Sequence, residues 1–393
     1  MSIESSQDGR MSMRQFNLLP RLRSPTDASS GTIASARFSA MRQIVTATAA
    51  LLLFASVPAR GQDFVYEVFG AYLESLRDQA GIPGLAAAIV DANGLVWERA
   101  YGQQDVGRSI ATRTDTPFHA DGLTQTITAV MTLRCAEERR LDLDARIASI
   151  RADMPEPDAS IRQLLTHTFG APESLTFAYQ PERLAPLWPI LRTCTVDSYR
   201  ESFANLLAQL AMVDSVPGPN IVSIAPPAEG VPEPADVERY IALLERRAMP
   251  YIVDDRGRAL QSSYPEAAAT LTPSSGLVTT VRDLAKFDLA LRQGILVTPQ
   301  TLDAAWSAPV NSTGVGLPHG MGWFVQTYNG EKVVWQFGLA ENASSSLMMT
   351  LPARGLTLIL MANSDGLVKL YSPTSGDVSL SPFARLFLNL FVR

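Results

Sequence analysis

Side-chain catalysis needs a nucleophile or acid together with a partner that moves its proton, and this chain is short of partners. Its 393 residues hold three histidines (His119, His167, His319), two cysteines (Cys135, Cys194) and three lysines (Lys286, Lys332, Lys369), against thirty arginines. The histidines and cysteines are scattered with no Cys-x-x-Cys pair, so no metal-ligand spacing is visible, a zinc hydrolase is not expected, and no cofactor is implied. Three places before the lysines stand Asp283, Asn329 and Gly366, so no serine lies one helical turn ahead of a lysine that could take its proton. Thr124, Thr126 and Ser344-Ser345-Ser346 offer hydroxyls, but none has a Lys or His at matching helical spacing.

Composition is that of a globular protein, 46% hydrophobic and 18% charged, with length for about two domains or one large two-lobed unit. The net charge of −6 argues against nucleic acid as a partner, because counterion release needs clustered cations. From Met41 the chain reads as a secretory signal peptide over 41–61: Arg42, a largely apolar run Ile44–Val57, then small-residue cleavage candidates around Ala59 and Gly61. The run is short for a membrane span, with an uncleaved anchor as the alternative. Residues 1–40 do not belong to such a signal and read as an extension from a start assigned too early. Removing residues 1–61 takes away seven arginines and three acids and leaves a net charge of −10, so the expectation is an acidic protein, periplasmic or secreted, without an integral span after cleavage. In an oxidising compartment Cys135 and Cys194 could bond, although buried thiols are the commoner outcome for two cysteines in separate helical segments.

The elements that would position a site follow from periodicity. Phe64–Gln79 has helical recurrence, and Leu85–Val90 and Leu95–Tyr101 form a hairpin through Asn93-Gly94. Thr124–Arg140 reads as a long, partly buried helix, and further helices are expected over Ile161–Thr166, Arg183–Arg192, Ser198–Met212 and Asp236–Arg247. Six prolines between Pro217 and Pro234 predict an extended surface loop. Gly322–Tyr328, Lys332–Phe337, Ser345–Leu351 and Leu356–Asn363 read as strands, and Ser381-Pro382 starts a final helix to Phe391. Both ends of the mature chain thus complete one sheet, about 62–118 with 315–393, and the middle, about 119–314, forms a helical lobe.

Several strings occur in one order: Pro117-Phe118 with Gly122-Leu123-Thr124-Gln125, Leu141-Asp142-Leu143-Asp144, Leu164-Leu165-Thr166-His167-Thr168, Phe177-Ala178-Tyr179, Leu210-Ala211-Met212, Gly276-Leu277-Val278-Thr279-Thr280, Gly320-Met321-Gly322-Trp323 and Trp335-Gln336-Phe337-Gly338. Together they resemble the serine β-lactamase and penicillin-binding-protein superfamily, in its class C-like branch with D-alanyl-D-alanine carboxypeptidases and family VIII esterases, over residues 64–393. The resemblance implies an α+β, β-lactamase/transpeptidase-like fold, an antiparallel sheet flanked by helices plus a helical lobe.

The resemblance also places the family's S-x-x-K on Gly122 and Gln125, its activating tyrosine on Tyr179, and its Lys or His before glycine on Gln336, with Gly338 as the glycine. Only the tyrosine is kept. Glycine has no side chain and glutamine is neither base nor cation. Losing the nucleophile of such a unit costs on the order of 10⁶ in rate. The expectation is therefore an exported homologue without acyl-serine activity, holding a peptide, a peptidoglycan fragment, another small molecule or a protein partner in the ancestral cleft. The alternative is a hydrolase of small esters, amides or β-lactams with a rearranged site around Tyr179, and a third reading uses the Pro217–Pro234 loop as a docking surface. Tyr179 could equally be a packed aromatic, His167 a hydrogen-bonded structural histidine, and His119 and His319 exposed loop residues. Gly122 would open space where the serine would sit.

Overall fold

The computed structural model describes residues 59–223, 233–254, 256–369 and 371–392, of which Gln62–Arg393 belong to one compact unit. The extension 1–40, the apolar run Ile44–Val57 and residues 224–232 of the proline-rich loop lie outside the described residues.

A seven-stranded antiparallel sheet is built from both ends of this unit. Its strands are β1 (Gly84–Val90), β2 (Leu95–Asp105), β3 (Ile110–Ala111), β4 (Phe324–Tyr328), β5 (Glu331–Ala340), β6 (Ser344–Leu351) and β7 (Leu356–Ala362), in the spatial order β4-β5-β6-β7-β1-β2-β3. The C-terminal strands follow one another by hairpins, and the N-terminal hairpin joins where β1 pairs with β7, Ala87 opposite Leu360. That pairing makes β1 central, which is why its sequence Gly-Leu-Ala-Ala-Ala-Ile-Val is buried along its whole length rather than alternating.

Helices cover both faces. Against one lie α1 (Ala59–Gln79) and the C-terminal α4 (Pro382–Phe391), packing Phe69, Leu73, Phe383 and Phe387 on Leu85, Ala87, Trp335, Leu347 and Leu360. Against the other lie α2 (Thr124–Glu137) and α3 (Val281–Arg292), with Ile127, Val130, Leu284 and Phe287 meeting Ala86, Ala88, Met348 and Met361. The strand pleat sends alternate residues of β1 and β7 to each layer, so one sheet serves two cores.

Most expected elements are present within a few residues. The expected helix Arg183–Arg192 is instead a 3₁₀ turn Pro181–Leu184, one helical turn Leu187–Ile190 and another 3₁₀ turn Leu191–Thr193, because Pro186 and Pro189 remove backbone donors. Three small sheets went unforeseen: a hairpin of Thr168–Phe169 with Thr176–Phe177, a hairpin of Tyr251–Val253 with Ala259–Gln261, and a three-stranded sheet of Phe118–His119, Leu277–Thr279 and Val216–Pro217. The last holds the chain just before α2.

The two cysteines are not free thiols. Cys135, in the last turn of α2, is bonded to Cys194, their Cα atoms 5.8 Å apart across a sequence separation of 59. Closing a loop of that length restrains the unfolded chain by about 4 kcal/mol. Replacing both cysteines by serine is expected to lower the urea midpoint by an amount of that order, and an unchanged midpoint would show that the cross-link does not hold the end of α2.

Candidate active site

The site is built where α2 begins. Strand Phe118–His119 leads into a 3₁₀ turn, Asp121–Leu123, that runs directly into α2, and Asp121 takes a left-handed φ of 48°, which Asp tolerates better than most residues. Two serines of β6 hold this turn on the sheet. Ser346 Oγ donates to the Ala120 carbonyl at 2.8 Å and Ser344 Oγ to Asp121 Oδ2 at 2.7 Å.

β5 supplies the other wall. β4 pairs with it only as far as Trp335, so Gln336 to Ala340 have no strand on that side, and the turn Ala120–Gly122 lies there instead. The approach is backbone on backbone. A Cβ on Gly122 would stand 2.4 Å from the Phe337 carbonyl oxygen and 3.4 Å from the Gly338 Cα; a Cβ on Gly338 would stand 2.2 Å from the Ala120 carbonyl oxygen. The space expected at Gly122 is therefore filled, and both glycines are there because nothing larger fits.

Gln125 follows Gly122 by three residues as the second residue of α2, 1% exposed. Its Nε2 donates to the Tyr179 hydroxyl at 2.6 Å and its Oε1 faces His167 Nε2 at 3.2 Å. The Gln180 backbone N–H donates to His167 Nδ1 at 3.3 Å, so the imidazole proton sits on Nε2 and points at the glutamine. Burial, with Arg183 nearby, pushes His167 down to about 3, so it is neutral at physiological pH. Tyr179 reaches this network from the segment after the hairpin Thr168–Phe169 with Thr176–Phe177, which Arg183 pins through Glu156 (2.6 Å) and the Thr168 carbonyl (3.0 Å). Its half-buried ring packs on Phe324 and Phe337, and burial raises its hydroxyl above the usual phenol range. The partner of that hydroxyl is the Gln125 side chain.

Gln336 turns away from Gln125. Its Nε2 donates to the Gly322 carbonyl at 3.3 Å and lies 3.5 Å from His319 Nε2, and its Oε1 accepts the Phe337 N–H at 2.9 Å. His319 is fully buried, its Nδ1 donating to the Gly320 carbonyl at 2.6 Å, and His119 is 1% exposed, so the expected exposure of both is incorrect. Flanking proline and glycine suggested surface loops, but both segments run inside, at the small sheet and beside Phe324.

Gly122, Gln125 and Tyr179 thus come together with Gly338, while Gln336 serves a neighbouring network. The hydroxyls set aside earlier are occupied: Thr124 accepts the Leu277 N–H, Thr126 donates to the Leu123 carbonyl, and Ser345 donates to the Ser364 carbonyl. Sequence reasoning missed Asp121, which lies between Phe118 and Gly122 of the matching strings; burial pushes its carboxyl up to about 7 against the hydrogen bond from Ser344. No cluster of metal-ligating side chains occurs among the described residues, and no helix among them is long and apolar enough to cross a membrane.

An antiparallel sheet with helices on both faces and a helix starting at its edge is the architecture of the serine β-lactamases and penicillin-binding proteins. The β-lactamase family profile matches residues 69–372, and the chain belongs to that family. Among solved structures it is similar to the octameric penicillin-binding protein homologue from Pyrococcus abyssi (17% identity, TM-score 0.64, 82% of this chain and 77% of that one). It is also similar to the D-amino acid amidase from Ochrobactrum anthropi SV3 (18% identity, TM-score 0.62, 82% and 99%) and the class C β-lactamase from Rhodobacter sphaeroides (14%, 0.59, 82% and 99%). At these identities the likeness is one of fold.

Two expectations test this geometry. Gly122→Ala should cost about 1–3 kcal/mol in urea unfolding, because the new Cβ has to displace backbone; a neutral result would mean that β5 yields freely. Asp121 holds its proton to about pH 7 when folded and releases it near its ordinary value of 3.8 when unfolded, so stability falls as pH rises from about 4 to 7. Asp121→Asn, which keeps the acceptor for Ser344, should therefore gain on the parent across that window, by at most about 1.4 kcal/mol per pH unit, and parallel stability curves would refute the assignment.

Proposed function

We propose that this protein is an exported member of the β-lactamase family that carries out no acyl-serine chemistry and uses the region around Gly122 and Tyr179 to bind a peptide, a peptidoglycan fragment or a protein partner. The observation that carries the reading is the double attachment of the Gln125 amide. The residue in the lysine position is tied to Tyr179 at one end and His167 at the other, and neither can serve as a base: burial holds the phenol protonated, and His167 is far too weak a base at about 3. The nucleophile position has no side chain and stands against the Phe337 carbonyl.

Surface for binding remains at the edge of this network. Gly122 and Tyr179 are half-buried, and Leu339, next to Gly338, is 37% exposed. Export rests on the apolar run Ile44–Val57 and is supported by the Cys135–Cys194 bond, which persists in an oxidising compartment.

The test is hydrolysis of nitrocefin and p-nitrophenyl butyrate by the purified protein. No turnover above background is expected, and the Gly122→Ser/Gln125→Lys variant is expected to be silent as well, because a serine Cβ meets the Phe337 carbonyl. Turnover by the parent that disappears in Tyr179→Phe would overturn the reading in favour of a rearranged hydrolase.

A further inference from the structure

Behind the turn that carries Gly122 lies a second polar cluster, made of His119, Arg247 and Tyr264. Arg247 follows the helix Pro234–Glu245, and the next residue anchors the segment, Ala248 N–H donating to the Pro117 carbonyl at 2.9 Å. The Arg247 guanidinium lies 4.6 Å over the Tyr264 ring, with its Nη1 3.0 Å from His119 Nε2. The His119 and Tyr264 ring centroids are 3.8 Å apart, and the Tyr264 hydroxyl spends its proton on the Ala248 carbonyl at 2.8 Å.

The cluster has donors and a positive charge but lacks an acceptor. A guanidinium only donates, so His119 Nε2 accepts from Arg247 and the imidazole proton sits on Nδ1. That nitrogen is buried and has no hydrogen-bond partner among the described residues. Other interior arginines are satisfied: Arg183 meets Glu156 at 2.6 Å, Arg292 meets Asp288 at 2.8 Å, and Arg200 donates to the Pro217 carbonyl and to Asn220. Among the described residues no carboxylate pairs with Arg247, whose one hydrogen-bond partner there is the imidazole. Burial lowers the pKa of Arg247, as it does for a cation that is not compensated. Half-buried rather than enclosed, it keeps the remainder of its fork open to a ligand. A half-buried guanidinium with no carboxylate beside it among the described residues is an arrangement that an anion would relieve.

We propose that His119, Arg247 and Tyr264 form a binding site for a small carboxylate, held by the part of the Arg247 fork that His119 leaves free. The planar guanidinium matches a carboxylate in a bidentate fashion, and the cluster offers one positive charge to one negative charge. A phosphate dianion would exceed that charge, close to the buried Asp121 carboxyl, which adds to burial in raising the Tyr264 hydroxyl. The site is independent of the hydrolytic question, since none of its side chains occupies an ancestral catalytic position.

The experiment is an NMR titration of the full-length protein with sodium acetate at pH 7 and constant ionic strength, read on the His119 ring and compared with inorganic phosphate. Saturable movement of the His119 resonances by acetate is expected, with affinity falling roughly tenfold or more in Arg247→Gln and by a smaller factor in Arg247→Lys, which keeps the charge but not the fork. If Arg247→Gln does not fold, judged by its amide spectrum, Arg247→Lys alone decides. The proposal is overturned by absence of a saturable shift in the parent, by unchanged affinity in the folded variants, or by phosphate binding more tightly than acetate. Retained acetate binding in a protein found to hydrolyse nitrocefin would leave this site standing and remove only the reading of the neighbouring one.

Discussion

The constraint on which the site depends is the contact between the turn Ala120–Gly122 and the free edge of β5. Two backbones meet there with no side chain between them, and Ser344 and Ser346 fix their separation from the adjacent strand. At that spacing a side chain at 122 and the observed path of Phe337 exclude one another. The absence of a serine is thus built into the packing, because restoring its Cβ means moving a strand that is hydrogen-bonded along its length and packed on both faces.

The interior polar groups follow from the same closure. A lysine at position 125 would bury an ammonium against Tyr179 and His167, both neutral, and desolvation would work against its charge. Glutamine fits without that cost because its amide has one donor end and one acceptor end, and the network offers a phenol oxygen to the first and an imidazole N–H to the second. The histidine's tautomer is fixed from the far side by the Gln180 N–H, so the orientation of the whole chain is determined by one backbone donor. His319 and Gln336 make a second, separate pairing in which the imidazole proton goes to the Gly320 carbonyl and the ring accepts. These interior positions are filled by neutral groups, as buried sites without counter-charges require.

Much of the fold was legible because its signals are local. The Asn93-Gly94 hairpin, the Ser381-Pro382 start of α4 and the runs that became β6 and β7 depend on turn chemistry and periodicity, which a sequence displays directly. What escaped was set by distant partners. Strand Phe118–His119 exists because Leu277–Thr279 lies beside it, more than 150 residues away, and no pattern within two residues announces a strand. His119 and His319 were misplaced for the same reason: neighbouring proline and glycine describe backbone shape, whereas burial comes from what packs on top. At the site, the family strings locate Gly122, Gln125, Tyr179 and Gln336, but hydrogen-bond partners are a tertiary property. Sequence could not tell that the amide of Gln125 is engaged at both ends while that of Gln336 points elsewhere.

Two of the strings that carry the family resemblance also do mechanical work here, and this bears on how the scaffold stands without the family's serine and lysine. In Leu165-Thr166-His167-Thr168 the histidine takes a left-handed φ of 51° and its carbonyl accepts the Ala178 N–H, which brings Tyr179 back toward α2. In Gly320-Met321-Gly322, the Gly322 N–H donates to the Leu165 carbonyl, and a Cβ at Gly322 would stand 2.4 Å from that of Ala129. These two strings therefore brace the loops beside α2 against one another and against Ala129 whether or not a nucleophile stands at position 122. Glycine and glutamine in place of serine and lysine leave these ties untouched, so the helix, the turn and β5 keep their mutual positions.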